Sequence, residues 1–290
     1  MSKHITVGFD ASPEAYEALR WGAAEAVKRS CELHILECYR LPVASDAHTG
    51  WVPVEAYSEI EQAASAQLQQ ARDMVAREYP HLTLTSSLRA GSPASLLVEE
   101  PAGDQELIVV GASSHRGASA FWLGSTPRAV VRHATCPVVV VRGAAGRDGP
   151  DRVVVGIDGS VASRQAVLWA AAEADLHGVE LRVVHAWEYP YLAITTQESQ
   201  ARDLTRVDAA CVLEEAVAYA REVCGCDVTD VLVEDAPASG LLGAVRDGDL
   251  LVLGSRGRGA LKAGMFGSTV NSVLDHAATP VVVLRDEAVR

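Results

Sequence analysis

The feature that most constrains this chain is that it is written twice. Residues 125–142 read STPRAVVRHATCPVVVVR and residues 268–285 read STVNSVLDHAATPVVVLR, identical at ten of eighteen positions. Val7, Gly8, Asp10 and Ser12 recur 148 positions later as Val155, Gly156, Asp158 and Ser160. ALRWGAAEA at 18–26 likewise returns as AVLWAAAEA at 166–174. A chain of 290 residues built this way folds as two copies of one design, each about the size of an ordinary domain. The expected layout is a first domain over 1–143, a Gly- and Pro-punctuated linker over 144–150, and a second domain over 151–290.

Within each copy, short Val/Ile/Leu runs alternate with helical periodicity. ITVGFD and RVVVGID read as first strands, ELHILECY at 32–39 and ELRVVHAW at 180–187 as second strands. Ser12 before Pro13 marks a helix start, and Ala15, Ala18, Leu19, Gly22, Ala23 and Ala26 fall on one face of that helix. Longer helices follow near 57–78 and 197–224, third strands near 82–89 and 227–234, and short helices after Pro93 and Pro237. Fourth strands end at Val110 and Leu253, and each copy closes with a helix and a PVVV strand. Near-continuous apolar strands separated by helices imply parallel sheets covered on both faces. The expected fold is α/β: two tandem doubly wound, Rossmann-like domains, each a five-stranded parallel sheet of order 3-2-1-4-5 flanked by helices. In such sheets ligands bind beyond the carboxyl ends of the strands where the winding reverses, here between strands one and four.

Two features converge there. One is the carboxylate after strand one, Asp10 or Asp158, which could meet adenine or ribose donors, sit near Mg²⁺, or simply hold a turn or cap a helix. The other is the segment Gly254–Ser268, GSRGRGALKAGMFGS, with the pattern Gly-x2-Gly-x9-Gly-Ser on Gly254, Gly257, Gly267 and Ser268. Arg256, Arg258 and Lys262 lie within it and no acid does, which describes a phosphate cradle of amides and cations. The first copy keeps Gly111, Gly124 and Ser125 but carries Ser113, Ser114 and His115 where the second has Arg256, Gly257 and Arg258. Gly259 is replaced by Arg116 and Lys262 by Ser119, so two crevices of unequal strength are expected, the second tighter. Ser125 and Ser268 read as N-cap residues able to touch a phosphate as well. Cys38 and Ala186, near the ends of the second strands, could offer main-chain groups to a base edge or serve only packing. His133 and His276 sit in the last turns of matched helices, where a cation complements the helix dipole.

Composition narrows the alternatives. The 25 basic and 38 acidic side chains give a net charge of −13, which argues against sequence-independent nucleic-acid binding or an anionic membrane surface. No apolar stretch approaches the roughly 20 residues of a membrane helix. Met1-Ser2-Lys3-His4 leads straight into a strand without a secretory core, so a cytoplasmic location is expected. The six cysteines, at 31, 38, 136, 211, 224 and 226, form no CxxC pair and are expected as reduced structural thiols. Cys224 and Cys226, flanking one glycine, leave metal or redox chemistry as the alternative. No GxxxxGK[ST], no GxGxxG after a first strand and no nucleophile elbow occurs.

Taken together, two copies of VG[FI]D[AG]S, the Gly-x2-Gly-x9-Gly-Ser loop and the closing HA-x-x-PVVV strand resemble a tandem universal stress protein across 3–142 and 152–285. The resemblance implies ATP as the cofactor, with Mg²⁺ as its companion ion. It places Gly156, Asp158 and Ala186 on the adenosine side, and Gly254, Ser255, Arg256, Gly257, Arg258, Gly259, Gly267, Ser268 and Thr269 around ribose and phosphates. The corresponding first-copy set is Gly8, Asp10, Cys38, Gly111, Ser113, Ser114, His115, Gly124, Ser125 and Thr126. It further implies a regulatory role in stress response or growth arrest with little or no turnover, a homodimer, and an unidentified regulatory protein partner. Two other functions suit the same residues. One is a slow Mg-dependent ATPase or nucleotidyl transferase, with Asp158 on the metal and Arg258 on the leaving phosphate. The other is a partner-docking scaffold with structural nucleotide, using the edge strands Pro137–Arg142 and Pro280–Arg285.

Overall fold

Apolar runs too short for helices but flanked by turn residues become strands, and the small-residue periodic stretches between them become the helices that cover them. The computed structural model describes residues 3–39, 54–99, 105–112, 123–143, 149–189, 198–257 and 267–285. Contacts divide the chain into two units. The first runs β1 (His4–Phe9), α1 (Pro13–Arg29), β2 (Glu32–Tyr39), α2 (Val54–Glu78), β3 (Leu84–Ala90), α3 (Pro93–Glu99), β4 (Gln105–Gly111), α4 (Ser125–His133) and β5 (Val138–Val141). The second repeats it as β6 (Arg152–Ile157), α5 (Val161–His177), β7 (Glu180–Trp187), α6 (Glu198–Val223), β8 (Val228–Glu234), α7 (Pro237–Ala244), β9 (Asp249–Gly254), α8 (Ser268–His276) and β10 (Val281–Leu284).

In the first unit β1 lies between β2 and β4, β3 flanks β2 and β5 flanks β4, every pair parallel. The second unit repeats the pattern, with β6 between β7 and β9, β8 beside β7 and β10 beside β9. Each unit is thus a doubly wound α/β sheet. Ile5, Val7, Leu33, Ile35 and Val109 of the first unit are fully buried, as are Val153, Val155, Leu181 and Val183 of the second. The small face of α1 is what lets it lie so close: a Cβ on Gly22 would stand 2.6 Å from Val7 Cγ2. Ser12 Oγ accepts the Ala15 N–H at 3.1 Å and Ser160 Oγ that of Ser163 at 3.2 Å, so both first helices are capped as their sequences require.

Two expectations need correction. Ser125 and Ser268 are not the N-caps of α4 and α8; Gly124 and Gly267 are, without a side-chain cap bond. Their carbonyls accept the first helical bonds, from Arg128 and Asn271, which makes the serines the first helical residues. The cysteines are not all reduced. Cys224 and Cys226 are joined by a disulfide with their Cα atoms 5.4 Å apart, a separation such bonds ordinarily span. The turn at Gly225 is pinned by Asp175, which is what brings the two side chains together. Cys31, Cys38, Cys136 and Cys211 are not disulfide-bonded.

The amino ends of the strands differ between units. Gln105 Nε2 donates to Thr6 Oγ1 at 2.8 Å in the first. In the second, Arg152 and Asp249 form a bidentate pair, Nη2 to Oδ2 at 2.5 Å and Nε to Oδ1 at 3.2 Å. No helix among the described residues is long and apolar enough to cross a membrane.

Candidate functional site

The reversal of winding leaves each unit a crevice at the carboxyl ends of its first and fourth strands. In the second unit, Asp158 follows β6 and its Oδ1 accepts the Ser160 N–H at 3.0 Å. Gly159 between them has φ of 75°, a left-handed conformation that glycine adopts without steric cost. The first unit makes the same turn, Ser12 N–H to Asp10 Oδ1 at 3.1 Å, over Ala11 at φ 57°. One oxygen of each aspartate therefore holds the turn. The other oxygen of Asp158 looks toward the glycine loop: a Cβ on Gly257 would collide with Asp158 Oδ2. Residues far apart in sequence meet here, because parallel neighbours end at the same edge.

The loop is also anchored at both ends. Ser255 N–H donates to the Leu284 carbonyl at 2.7 Å, and Gly267 N–H to the Ser255 carbonyl at 3.4 Å. Ala112 and Gly124 do the same in the first unit, Ala112 N–H to Val141 O at 3.0 Å and Gly124 N–H to Ala112 O at 2.8 Å. Each segment thus leaves and re-enters the fold at one point, next to the start of α4 or α8. Ser125 and Ser268 are exposed at those starts, with Thr126 and Thr269 half-buried behind them. Ser255 is buried and Arg256 half-exposed. Ser113, Ser114, His115, Arg258 and Gly259 lie outside the described residues.

Gly8, Asp10, Cys38, Gly111 and Thr126 line one cleft of about 70 Å³ in the first unit. That is well short of the roughly 300–1,000 Å³ of sites that enclose a drug-sized ligand. Ala186 in the second unit is 8% exposed, and a Cβ on Gly240 of α7 would stand 2.8 Å from its own Cβ, so its side chain serves packing.

Gly111 and Gly254 have a structural duty distinct from any ligand. A Cβ on Gly254 would come within 2.8 Å of the Ala162 carbonyl oxygen, and one on Gly111 within 2.7 Å of the Glu14 carbonyl carbon. Both strand ends abut the backbone of a helix's first turn, that of α1 for Gly111 and of α5 for Gly254, which cannot move aside as a side chain can. Gly254→Ala is expected to destabilise the second unit by at least about 1 kcal/mol. Urea unfolding in the absence of ligand checks this, and unchanged stability would show that the contact relaxes freely.

One residue near Asp10 was not anticipated. Glu37 of β2, paired in register with Phe9, is 3% exposed, and its Oε2 finds no hydrogen-bond partner among the described residues. Burial, and then the neighbouring Asp10 charge, push its carboxyl up to about 7. Its counterpart in the second unit is His185, whose Nδ1 donates to the Ile157 carbonyl at 2.8 Å. The one available signal was a glutamate directly after the apolar pair Ile35-Leu36 in ELHILECY.

Comparison with known proteins agrees with this architecture. The model of the universal stress protein family matches residues 1–142 and again 150–285. A universal stress protein of Mycobacterium tuberculosis is 32% identical over 300 residues, covering 97% of this chain and 96% of that protein. One from Mycolicibacterium smegmatis is 30% identical over 290 residues, with the same coverage. Among solved structures, a universal stress protein from Archaeoglobus fulgidus superposes with a TM-score of 0.66 at 20% identity, covering 97% of this chain and 98% of that one. Matched by its family twice and by these relatives over nearly its whole length, the chain belongs to the universal stress protein family.

Proposed function

We propose that this protein is a regulatory binder of adenine nucleotide, ATP in the first instance with Mg²⁺ as its companion, and turns it over little or not at all. The observation that carries this reading is the apposition of Asp158 and Gly257 at the mouth of a loop anchored at Ser255 and Gly267. Such a loop offers main-chain N–H groups and Arg256 to phosphates, beside the start of α8, while Asp158 accepts donors from the nucleoside. Ser268 and Thr269 stand at that helix start. The second crevice is the tighter one, since Ser114 replaces Gly257 and the first loop carries fewer cations. Domain boundaries at 143 and 151, a cytoplasmic location, a regulatory protein partner and a homodimer through the edge strands belong to the same reading. A monomer in light scattering at micromolar concentration would remove the homodimer.

Calorimetric titration with Mg·ATP tests the proposal. Wild type is expected to show one dominant site. Gly257→Ser, which imports the first copy's residue, should weaken that site about tenfold or more by displacing the Asp158 carboxylate from its donor. Two equal sites, a tighter first site or no heat at all would refute it. Phosphate release is followed in the same samples; sustained turnover abolished by Asp158→Asn would replace the binder with an ATPase.

A further inference from the structure

The second unit carries a group that its first-unit counterpart lacks. Between α6 and β8 the chain reads Cys224-Gly225-Cys226, whereas the matching junction of the first unit, Tyr79-Pro80-His81-Leu82, has no cysteine. The group sits where β8 begins, at the end of the sheet away from Asp158, so it belongs to neither crevice. Cys224 and Cys226 are bonded to each other, half-buried, and bridged by an exposed glycine. Asp175, in the last turn of α5, accepts the Gly225 N–H through both oxygens, at 2.9 and 3.1 Å. Its Oδ1 is also 3.5 Å from Cys224 Sγ.

We infer that Cys224 and Cys226 form a dithiol–disulfide exchange site for low-molecular-weight thiols, with Asp175 as the positioning residue. A thiolate must reach a sulfur along the S–S axis, so exchange needs an accessible disulfide; here both cysteines are only half-buried and the glycine between them is exposed. The carboxylate beside Cys224 repels an incoming thiolate from that sulfur and directs it to Cys226. The new S–S bond forms between the incoming sulfur and Cys226 while the Cys224–Cys226 bond breaks. Cys224 leaves with the electron pair, takes a proton from solvent, and its S–H donates to Asp175. A second thiolate attacks the mixed disulfide at the small-molecule sulfur, releasing the oxidised small disulfide and the Cys226 thiolate, which is then protonated. Two small thiols are oxidised and one protein disulfide is reduced, two electrons on each side. Cys31, half-buried, and Cys136, buried, do not compete as thiolates: burial pushes both up to about 11.

The test equilibrates the full-length protein in glutathione buffers of graded thiol-to-disulfide ratio, quenches with acid, alkylates and digests with trypsin. The peptide spanning 222–246 contains both cysteines and no other. It is expected to pass from unalkylated, at oxidising ratios, to doubly alkylated at reducing ones, in a single two-electron transition. Cys226→Ser should abolish the intramolecular bond and leave Cys224 as a glutathione adduct or free thiol. Asp175→Ala should move the midpoint about tenfold toward reduction as the Gly225 turn loosens, and Asp175→Asn, which still accepts that N–H, should restore it. A peptide doubly alkylated at every ratio, or unalkylated at every ratio, would overturn the exchange site. An Asn variant that behaves as the Ala variant would overturn the positioning role.

Discussion

Asp249→Ala is expected to destabilise the second unit by about 3–5 kcal/mol, the cost of leaving one member of a buried ion pair alone. Arg152 is 7% exposed and Asp249 4%, and the guanidinium meets both carboxylate oxygens. Asp249 Oδ2 also accepts the Arg246 N–H at 2.8 Å, so the variant orphans a main-chain donor as well as a cation. The two residues are register partners on β6 and β9, the strands whose far ends form the crevice. Loss of the pair should therefore be felt along the central strands. Hydrogen exchange reads this without assuming that a chain of two units unfolds in one step. Protection of residues 152–157 should fall at least a hundredfold, while residues 4–9 keep theirs. A fall of less than tenfold would mean that water or a shifted partner rescues Arg152. The double variant Arg152→Leu/Asp249→Leu should recover most of the loss, since no unpaired charge then remains buried.

The second large effect depends on pH. A carboxyl raised from 4.5 to about 7 in the folded state binds a proton more tightly there than in the unfolded chain. Its contribution to stability is full below about pH 4.5 and is lost as pH rises toward 7, because the unfolded glutamate ionises freely while the buried one resists. Glu37→Gln removes that ionisation. Relative to wild type, the variant should gain roughly 2–3 kcal/mol between pH 5 and pH 8. Urea unfolding of both proteins at the two pH values checks this. A difference that stays constant with pH would mean that Glu37 keeps its ordinary carboxylate behaviour. The neighbouring Asp10 sets a further check: in an Asp10→Asn background the pH-dependent gain should shrink, since part of the shift comes from that charge.

Much of this protein could be read from the order of its residues. The duplication, the alternation of strand and helix, the Ser12 and Ser160 caps and the small face of α1 are local statements, written in periodicity and in side chains that bond within a few positions of themselves. The switch point was legible too, because parallel winding admits few topologies, and it led to Asp158 and Gly257 before either was seen side by side.

What the tertiary structure alone decided is how each residue is used. Gly254 is required by the Ala162 backbone, a contact that no motif records. The last helices begin one residue earlier than their serines suggest, since the main-chain bonds of Gly124 and Gly267 settle the boundary. Glu37 is an unremarkable letter in β2 until the helices around it exclude water. Cys224 and Cys226 become a bonded pair because Asp175, on a different helix, pins the glycine between them. Pattern and propensity act over a few residues and survive in the one-dimensional text; burial, desolvation and steric exclusion arise only when distant segments share a volume.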